Sequence, residues 1–310
     1  MKILMTGASS FTGFWFAKTM AEKGHMVNAT FTKGRKDYSG LRAERVSMLC
    51  DMPTIIPVWN CSFGTDDFNK LLSGGIHIIC HHAAHVEGYR SPDFDINRAV
   101  SQNTNNCNKV IEEAKKQNIQ RIILTGSVFE ANEGTGSDPL VAFSPYGLSK
   151  TFTWEMFRYW TWRHNFSISK FVIPNPFGPY EEPRFCNYLV QNWAKGITPS
   201  VKTPDYIRDN IHIDLLAQAY CSIVEKEETG VYRPSGYTCS QKEFALRFAK
   251  EIGTRLDIPC NVIFETQKDF DEPLSRINTF SATEFCPQWS ESNAWDELAS
   301  YYSRMLAVPR

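Results

Sequence analysis

The chain has 310 residues, of which 42% are hydrophobic and 22% charged, so its composition is that of a globular protein with one large domain or two smaller ones. The net charge of −1 and the lack of a basic run argue against nucleic acid and anionic membranes as partners, and the apolar runs are too short to span a bilayer. The nine cysteines form no CxxC pair, and we expect reduced thiols in a cytoplasmic protein.

The first predicted element is a short apolar strand, Lys2–Thr6, which runs into a glycine-bearing turn and then a helix. The turn, Gly7–Gly13, has a glycine at each end, and apolar residues at helical spacing follow it as far as Gly24. This arrangement can hold the pyrophosphate of a dinucleotide on backbone amides and a helix N-terminus. Ser10 stands where the middle glycine of the usual pattern lies. We therefore predict a dinucleotide cofactor.

The end of the second predicted strand, His25–Phe31, indicates which dinucleotide. NAD-binding folds usually carry a carboxylate here for the ribose hydroxyls. In this chain the next residues include Lys33, Arg35 and Lys36 and no carboxylate. A 2′-phosphate is attracted by such cations, so we predict NADP(H) in preference to NAD(H). The alternative is a solvated basic turn.

The following elements alternate between strand and helix, as a doubly wound sheet requires. Three histidines, at 81, 82 and 85, follow a strand, but alternate strand residues face opposite sides and no cysteine or carboxylate completes a zinc set, so we expect no metal. The predicted elements are strands near Ile55–Trp59, Ile76–Cys80 and Gln120–Thr125 and helices near Asp66–Ser73, Phe94–Gln117, Phe185–Lys195 and Gln241–Gly253.

Pro145 favours the start of a helix that carries Tyr146 and Lys150 on one face. At roughly 4 Å and an effective dielectric of about 20, an ammonium stabilises a phenolate by about 4 kcal/mol, or about three pKa units. This predicts a tyrosine that exchanges a proton near neutral pH in an alcohol–ketone redox step, for which a nicotinamide supplies the hydride. Taken alone, such a pair is weak evidence, because most tyrosine–lysine pairs at this spacing are only surface neighbours on a helix.

Several spaced motifs together resemble the extended short-chain dehydrogenase/reductase family, the group of nucleotide-sugar epimerases, dehydratases and reductases. The resemblance is ordered and covers roughly residues 1–235. It implies an α/β protein with a Rossmann-like doubly wound parallel sheet in residues 1–173, to which 209–235 return, and a smaller α+β substrate lid in 174–310. The motifs are Thr6-Gly7…Gly13, His82-Ala83-Ala84, Asn97, Ser127, Tyr146…Lys150, Pro174–Pro179 and Arg208–Asp214.

The resemblance also implies residue roles. Ser127 hydrogen-bonds the reacting substrate oxygen, Tyr146 exchanges the proton, and Lys150 lowers the tyrosine pKa and binds the nicotinamide ribose. The implied substrate contacts are His85, Asn175, Arg208 and Arg276, the arginines as clamps on a diphosphate. The implied cofactor contacts, besides Tyr146 and Lys150, are Gly7, Ser9, Ser10, Phe11, Thr12, Gly13, Lys33, Arg35, Asn60, Cys61, His82, Ala83, Ala84, Asn97 and Pro174.

Departures from the family narrow the expected reaction. Sugar dehydratases follow the serine with an acidic pair, whereas Ser127 is followed here by Val128 and Phe129, so dehydration is not expected. We predict NADP(H)-dependent 4-ketoreduction of a nucleotide-linked sugar. The alternatives are a 4-epimerase that retains its cofactor, a reductase of a non-sugar ketone or aldehyde, and a non-catalytic NADP sensor. The predicted helix from Tyr146 to Phe166 is rich in aromatic residues. In members of the family this helix and the preceding one pair with a second subunit as a four-helix bundle, so the resemblance implies a homodimer.

Overall fold

The computed structural model describes residues 1–307. Over this range the chain forms strands and α-helices with two short 3-10 helices, at Arg35–Asp37 and Ala282–Glu284. The strands and α-helices, in chain order, are β1 (Lys2–Thr6), α1 (Phe11–Glu22), β2 (Met26–Thr30), α2 (Gly40–Cys50), β3 (Ile55–Val58), α3 (Asp66–Leu72), β4 (Ile78–His81), α4 (Ile96–Asn103), α5 (Cys107–Lys116), β5 (Arg121–Ser127), β6 (Thr135–Gly136), α6 (Pro145–His164), β7 (Ile168–Ile173), β8 (Asn175–Phe177), α7 (Phe185–Trp193), β9 (Ser200–Val201), β10 (Ile207–His212), α8 (Ile213–Glu225), β11 (Val231–Tyr232), β12 (Pro234–Ser235), β13 (Tyr237–Ser240), α9 (Gln241–Leu256), β14 (Ile263–Phe264), β15 (Ser275–Ile277), β16 (Phe280–Ser281) and α10 (Glu291–Ala307).

The centre of the fold is a seven-stranded sheet in the order β11-β7-β5-β4-β1-β2-β3, in which every pair is parallel. One hydrophobic core packs α1, α2 and α8 on one face, and a second packs α3, α5 and α6 on the other. This confirms the predicted doubly wound Rossmann-like sheet. Because the strands are parallel, their carboxyl ends meet at one edge, where such folds bind ligands.

The helix predicted from Phe94 to Gln117 is two helices, α4 and α5, and the prediction of one continuous helix was wrong. The chain bends at Asn106, which has a left-handed backbone with φ of 48°. Gly64 packs so tightly against this bend that a Cβ there would lie 1.8 Å from the Asn105 carbonyl oxygen. Asn105 and Asn106 both donate side-chain hydrogen bonds to the carbonyls of residues 63 and 64. A tertiary contact therefore interrupts a segment whose local pattern is helical.

The second half of the chain builds a smaller layer with its own aromatic core. Its sheet has the order β13-β10-β15-β6, with β8 paired to β10. Helices α7, α9 and α10 surround a core that includes Phe177, Phe248 and Trp295. Part of this half returns to the first layer: α8 packs on α1, and β11 adds to the edge of the parallel sheet beside β7. Among residues 1–307, no helix combines the length and the apolar character that a membrane span needs.

Candidate active site

The turn between β1 and α1 is built on two close approaches that only glycine allows. Gly7 has φ of +79°, and a Cβ there would lie 2.7 Å from the Ala83 backbone nitrogen. A Cβ on Gly13 would lie 2.2 Å from the Gly7 carbonyl oxygen. Ser10 uses its hydroxyl inside the turn, donating to the Gly7 carbonyl at 2.9 Å and accepting from the Gly13 amide at 3.1 Å. Ser10 thus caps α1, and the turn lies directly against the end of β4.

His82 connects this turn to the neighbouring strands. Its Nε2 lies 2.9 Å from Thr12 Oγ1 and 3.2 Å from Ser10 Oγ, and its Nδ1 lies 3.0 Å from Thr125 Oγ1. Burial is the main cause that lowers the pKa of His82 to about 3, and the positive charge of Lys150 adds to it, so the ring is neutral at physiological pH. A neutral imidazole shared among three hydroxyls holds the dinucleotide turn in one position.

The residues expected at a pyrophosphate site are chemically suited to it. Ser9, Ser10 and Thr12 bring three hydroxyls to the N-terminus of α1, a helix of 12 residues, and residues 6–13 include no acidic side chain. Helix N-terminal amides and hydroxyls are the usual donors to phosphate. Phe11 is buried in the core beneath the turn, and Arg45, which is fully buried, donates to the Ser9 carbonyl at 3.1 Å. The site fits a dinucleotide, and no sequence pattern pointed to Arg45.

The end of β2 carries both the predicted cations and a carboxylate that the sequence analysis missed. Lys33 and Arg35 are exposed. The short helix Arg35–Asp37 turns the Asp37 side chain back toward Gly34, so that Asp37 Oδ2 accepts a hydrogen bond from the Gly34 amide at 3.2 Å. The missed signal was the spacing Gly34-x-x-Asp37, which lies just beyond the run we considered. The end of β2 therefore offers a carboxylate, Asp37, that suits a ribose hydroxyl and two cations, Lys33 and Arg35, that suit a 2′-phosphate.

Asn60 and Cys61, the expected adenine contacts, are placed differently from each other. Asn60 is exposed with φ of 53°, and its Oδ1 lies 4.0 Å from where a Cβ on Gly34 would be. Cys61 is 1% exposed and its side chain belongs to the second core, where burial raises the thiol pKa to about 11. Of the two side chains only that of Asn60 is exposed, so a contact from Cys61 to a cofactor, which stays a prediction, would involve its main chain.

The N-terminal turn of α6 is seated on the turn that follows β5. Ser144 caps the helix by accepting from the Gly147 amide at 3.0 Å. A Cβ on Gly147 would lie 2.1 Å from the Phe129 carbonyl oxygen, so the two segments are in direct backbone contact. One turn further along α6, Lys150 Nζ donates to the Thr125 carbonyl at 2.6 Å. The structure thereby brings the segment that bears Tyr146 and Lys150 against the end of β5, where Ser127 lies.

The environment of Tyr146 differs from the acidified phenol that the sequence predicted. Its ring contacts Tyr89, Phe94 and Phe129, with centroids 5.6, 6.0 and 6.4 Å away. Burial, and secondarily the charge of Glu130, raise the pKa of Tyr146 above its ordinary value. In the protein alone the prediction of a lowered pKa was therefore wrong, because desolvation outweighs any charge nearby.

Lys150 experiences the same burial. It is 4% exposed, and burial lowers the pKa of its ammonium to about 8, although the charge of Glu130 opposes this. Its hydrogen bond goes to the Thr125 carbonyl. Lys150 is therefore still mainly an ammonium at neutral pH, but its charge is lost in the mildly alkaline range.

The structure places Asn103, and not the predicted Asn97, against the segment that follows β4. Asn97 is exposed on α4 beside a groove that contains Phe152 and Met156. Asn103 is 3% exposed, its Oδ1 accepts from the His85 amide at 2.8 Å, and its Nδ2 donates to a threonine of α6. Six residues along a helix turn a side chain through about 240°. Both asparagines lie on α4, and only the side that carries Asn103 faces the end of β4.

The remaining residues at this edge lie between the two layers. His81 is buried. Its Nδ1 lies 3.0 Å from Thr6 Oγ1, and its Nε2 lies 2.9 Å from the Asn103 carbonyl oxygen. Pro174 is buried between β7 and β8. Asn175 is half-buried, and β8 pairs it with Asn210 of the lid sheet.

The two arginines predicted as diphosphate clamps are already bound within the protein. Arg276 is fully buried and donates to the carbonyls of Glu130, Glu133 and Val141, which corrects the prediction of a substrate contact. Arg208 donates to Glu272 at 2.8 Å and to main-chain carbonyls. Glu272 lines a groove of about 550 Å³ beside the start of α6, so Arg208 lies near an accessible surface.

A third arginine, Arg184, was not found from the sequence. It lies at the start of α7 with its guanidinium 5.9 Å from the Tyr89 ring, which itself contacts Tyr146. Glu181, 4.0 Å away, is its nearest acidic partner, and burial raises the pKa of that carboxyl to about 8. Arg184 is therefore a half-exposed cation near Tyr146, and no sequence motif marks it.

Comparisons with known proteins agree with this geometry. The model of the NAD dependent epimerase/dehydratase family matches residues 3–233. No curated protein sequence matches the chain. UDP-glucuronic acid 4-epimerase from Bacillus cereus, solved with UDP-glucuronic acid and NAD, superposes with a TM-score of 0.76 at 18% identity, over 98% of this chain and 100% of that one.

Two further solved structures share the fold. UDP-N-acetylglucosamine 4-epimerase from Methanobrevibacter ruminantium has a TM-score of 0.76 at 14% identity, covering 98% of each chain. The dTDP-glucose 4,6-dehydratase DesIV from Streptomyces venezuelae has a TM-score of 0.73 at 18% identity, covering 98% of this chain and 97% of that one. At these identities the likeness is one of fold. The family match covers most of the chain, and the chain belongs to the NAD dependent epimerase/dehydratase family.

Proposed function

We propose that the chain transfers a hydride reversibly at a ring carbon of a nucleotide-linked sugar, with 4-epimerisation as the net result. The observation that carries the proposal is the meeting of Tyr146, Lys150 and Ser127 at the end of β5. The two 4-epimerases among the similar structures support epimerisation. A second candidate, NADP(H)-dependent 4-ketoreduction, is favoured by the exposed cations Lys33 and Arg35.

A nicotinamide dinucleotide held at the β1–α1 turn and by Lys150 would supply the hydride acceptor and donor for this reaction. Tyr146, acting as the phenolate, takes the hydroxyl proton of the sugar and becomes a phenol as the carbon–hydrogen bond breaks, and it returns that proton in the reverse direction. Ser127 hydrogen-bonds the same sugar oxygen, and Lys150 orients the nicotinamide ribose. An oxidised nicotinamide carries a positive charge, which lowers the pKa of a neighbouring phenol and opposes the effect of burial.

The same site argues against dehydration. Eliminating water requires an acid and a base besides the tyrosine. Val128 is buried, and Phe129 packs its ring on Phe143 with centroids 4.7 Å apart. The nearest carboxylate in the turn, Glu130, is buried and bonded to the Ser127 amide and Lys170. Neither apolar residue exchanges a proton, so hydride transfer is the chemistry that the turn supports.

The experiment that tests the proposal is a panel of UDP-, GDP-, CDP- and dTDP-sugars with NADPH or NAD. We expect one sugar to change configuration, observed by proton NMR, without any change in absorbance at the nicotinamide band. Stoichiometric loss of NADPH would establish the ketoreductase instead. If every sugar of the panel stays unchanged and no NADPH is consumed, the assignment to nucleotide sugars is wrong.

The end of β2 makes a separate prediction about cofactor preference. We expect NADP(H) to bind through Lys33 and Arg35, so the double variant K33A/R35A should bind NADP(H) about 10-fold or more weakly, since charge-assisted phosphate contacts each contribute about 1.5–3 kcal/mol. NAD(H) affinity should stay unchanged. Asp37→Ala is the matched control and should weaken NAD(H) alone. Titration calorimetry measures both, and equal NADP(H) affinity in K33A/R35A and wild type would contradict the prediction.

We also propose that two copies of the chain pair through the outer face of α6. Phe152, Tyr159 and Trp162 are 48%, 52% and 75% exposed there, and Phe152 lines a groove between α6 and α4. Such a contiguous apolar face is typical of a protein interface. Sedimentation at micromolar concentration should show a dimer that Phe152→Asp converts to monomer. Ile263→Asp, at a similarly exposed lid residue, should leave the dimer intact. A monomeric wild type would refute the pairing.

A further inference from the structure

A buried group of charged side chains lies directly behind the end of β5. Its inner pair is Glu130 and Lys170, which are 0% and 1% exposed, with Nζ 2.5 Å from Oε2. Lys170 also donates to Glu133 Oε1 at 2.7 Å. Glu133 Oε2 in turn accepts from Arg233 Nε at 2.7 Å. The two formal negative charges and the two positive charges balance, so the group is electrically complete without a ligand.

The inner pair reaches the main chain of the proposed catalytic serine. Glu130 Oε1 accepts from the Ser127 amide at 2.7 Å, and the Glu130 amide donates to the Ser127 carbonyl at 3.1 Å. Within the same turn, Ser127 Oγ accepts from the Phe129 amide at 3.3 Å. The direction of the serine hydroxyl therefore depends on a turn that the Glu130 carboxylate closes.

The surroundings are shaped to hold this pair. Gly126 leaves the space, because a Cβ there would lie 2.5 Å from Lys170 Cε and 2.9 Å from Glu130 Oε1. Trp154 of α6 lies over Lys170 with its ring centroid 4.9 Å from Nζ. The helix that carries Tyr146 thus contacts this group twice. Trp154 packs on Lys170, and Gly147 packs on the turn at Phe129 that contains Glu130.

Stability alone does not explain an ion pair at this place. Removing two charges from water costs several kcal/mol per ion, and apolar replacements of buried ion pairs are often neutral or stabilising. What a buried pair does provide is a fixed geometry with defined hydrogen bonds. The fixed geometry here is that of the Ser127 turn.

We infer that Glu130, oriented by Lys170, is a positioning residue that sets the direction of the Ser127 hydroxyl and places a negative charge behind Tyr146 and Lys150. The nature of the reaction rests on the proposed function, but the effect on Tyr146 does not. The charge of Glu130 raises the pKa of Tyr146 and also that of Lys150. It therefore helps to keep Lys150 protonated against the effect of its burial.

The other groups that face Tyr146 bear on the same titration. Tyr89, in the loop after β4, raises the pKa of Tyr146, and Arg184, at the start of α7, lowers it. Lys150 lies one turn along the same helix and donates to the Thr125 carbonyl. None of these groups is hydrogen-bonded to Glu130 in the structure of residues 1–307, so a change at Glu130 leaves their contacts in place and acts on Tyr146 and Lys150 through its charge.

The test uses the full chain saturated with NAD and labelled with ¹³Cζ-tyrosine, with Tyr146 assigned by its loss in Y146F. In Glu130→Gln we expect the Tyr146 phenol to ionise about one pH unit lower than in wild type, since the opposing charge is gone. With an active substrate, we expect kcat to fall about 10-fold with little change in KM. The matched control, Arg233→Met, breaks the outer pair of the same group and should leave the Tyr146 titration unchanged.

The outcomes separate the possible roles. A Glu130→Gln variant with a lower melting temperature but wild-type Tyr146 titration and kcat would make Glu130 purely structural and overturn the inference. If that variant does not fold, the Tyr146 titration and kcat are measured instead on the double variant E130Q/K170M, which removes both charges of the inner pair. If wild type turns over no nucleotide sugar, the proposed function fails, while the tyrosine titration still decides the inference.

Discussion

Replacing Tyr146 by phenylalanine is expected to lower kcat by a factor of about 10²–10⁴, the range attributed to a positioned general acid or base. The substitution removes one oxygen from a ring that Tyr89, Phe94 and Phe129 already surround. Packing of the ring is therefore retained, and only proton exchange is lost. Turnover of the identified nucleotide sugar, followed by NMR, measures the effect.

The control for this variant is binding. Tyr146→Phe should bind dinucleotide and nucleotide sugar with affinities within a few-fold of wild type. It should also unfold at the wild-type temperature, because the ring contacts with Tyr89, Phe94 and Phe129 are kept. Ser149, whose hydroxyl donates to the Tyr146 carbonyl at 2.7 Å, is unaffected by the change. Wild-type turnover in this variant would end the assignment of Tyr146 and, with it, the proposed mechanism.

Replacing Gly147 by alanine is expected to lower both stability and turnover, against the usual trend for helices. In a helix, alanine is normally favoured over glycine by about 1 kcal/mol. Here a Cβ would lie 2.1 Å from the Phe129 carbonyl oxygen, so the helix or the turn after β5 must move. Overpacking of this kind costs about 1–3 kcal/mol. A shift of about 1 Å at a reacting group costs about 100-fold in rate, and we expect that loss in kcat.

Gly230→Ala is the matched control for Gly147→Ala. Its Cβ would meet nothing nearer than a Tyr232 ring atom at 3.6 Å, which is ordinary contact. It should therefore change the free energy of unfolding by no more than about 0.5 kcal/mol and leave kcat unchanged. Urea unfolding and turnover give both numbers. A Gly147→Ala variant that is as stable and as active as Gly230→Ala would show that the helix and the turn are not locked together.

Local pattern was sufficient for the central sheet and for the position of its ligand edge. The alternation of short apolar strands with helices predicted the parallel sheet, and Gly7 and Gly13 predicted a tight turn between β1 and α1, which the close approaches at both residues confirm. These features depend on residues near one another in the chain. Hydrophobic periodicity and glycine's missing side chain act over that range, so the sequence is enough.

Other features depended on which side of a helix faces the sheet. The choice between Asn97 and Asn103 failed because both lie on α4, and the local pattern did not show which of them faces the end of β4. The carboxylate of Asp37 was missed for a similar reason, since a short 3-10 helix returns it to the end of β2. Both errors concern the direction in which a side chain points, which depends on packing against segments distant in the sequence.

The sequence by itself determined the doubly wound sheet, the dinucleotide turn and the four-residue spacing of Tyr146 and Lys150. Only the tertiary structure decided the chemical state of that pair, because the pKa of a phenol or an ammonium depends on desolvation and on charges brought in from distant segments. The same holds for the arginines: Arg276, predicted as a second phosphate clamp, is fully buried and donates to three main-chain carbonyls. Short-range pattern specifies where a residue sits along its element, whereas long-range packing sets what surrounds it and hence what it can do.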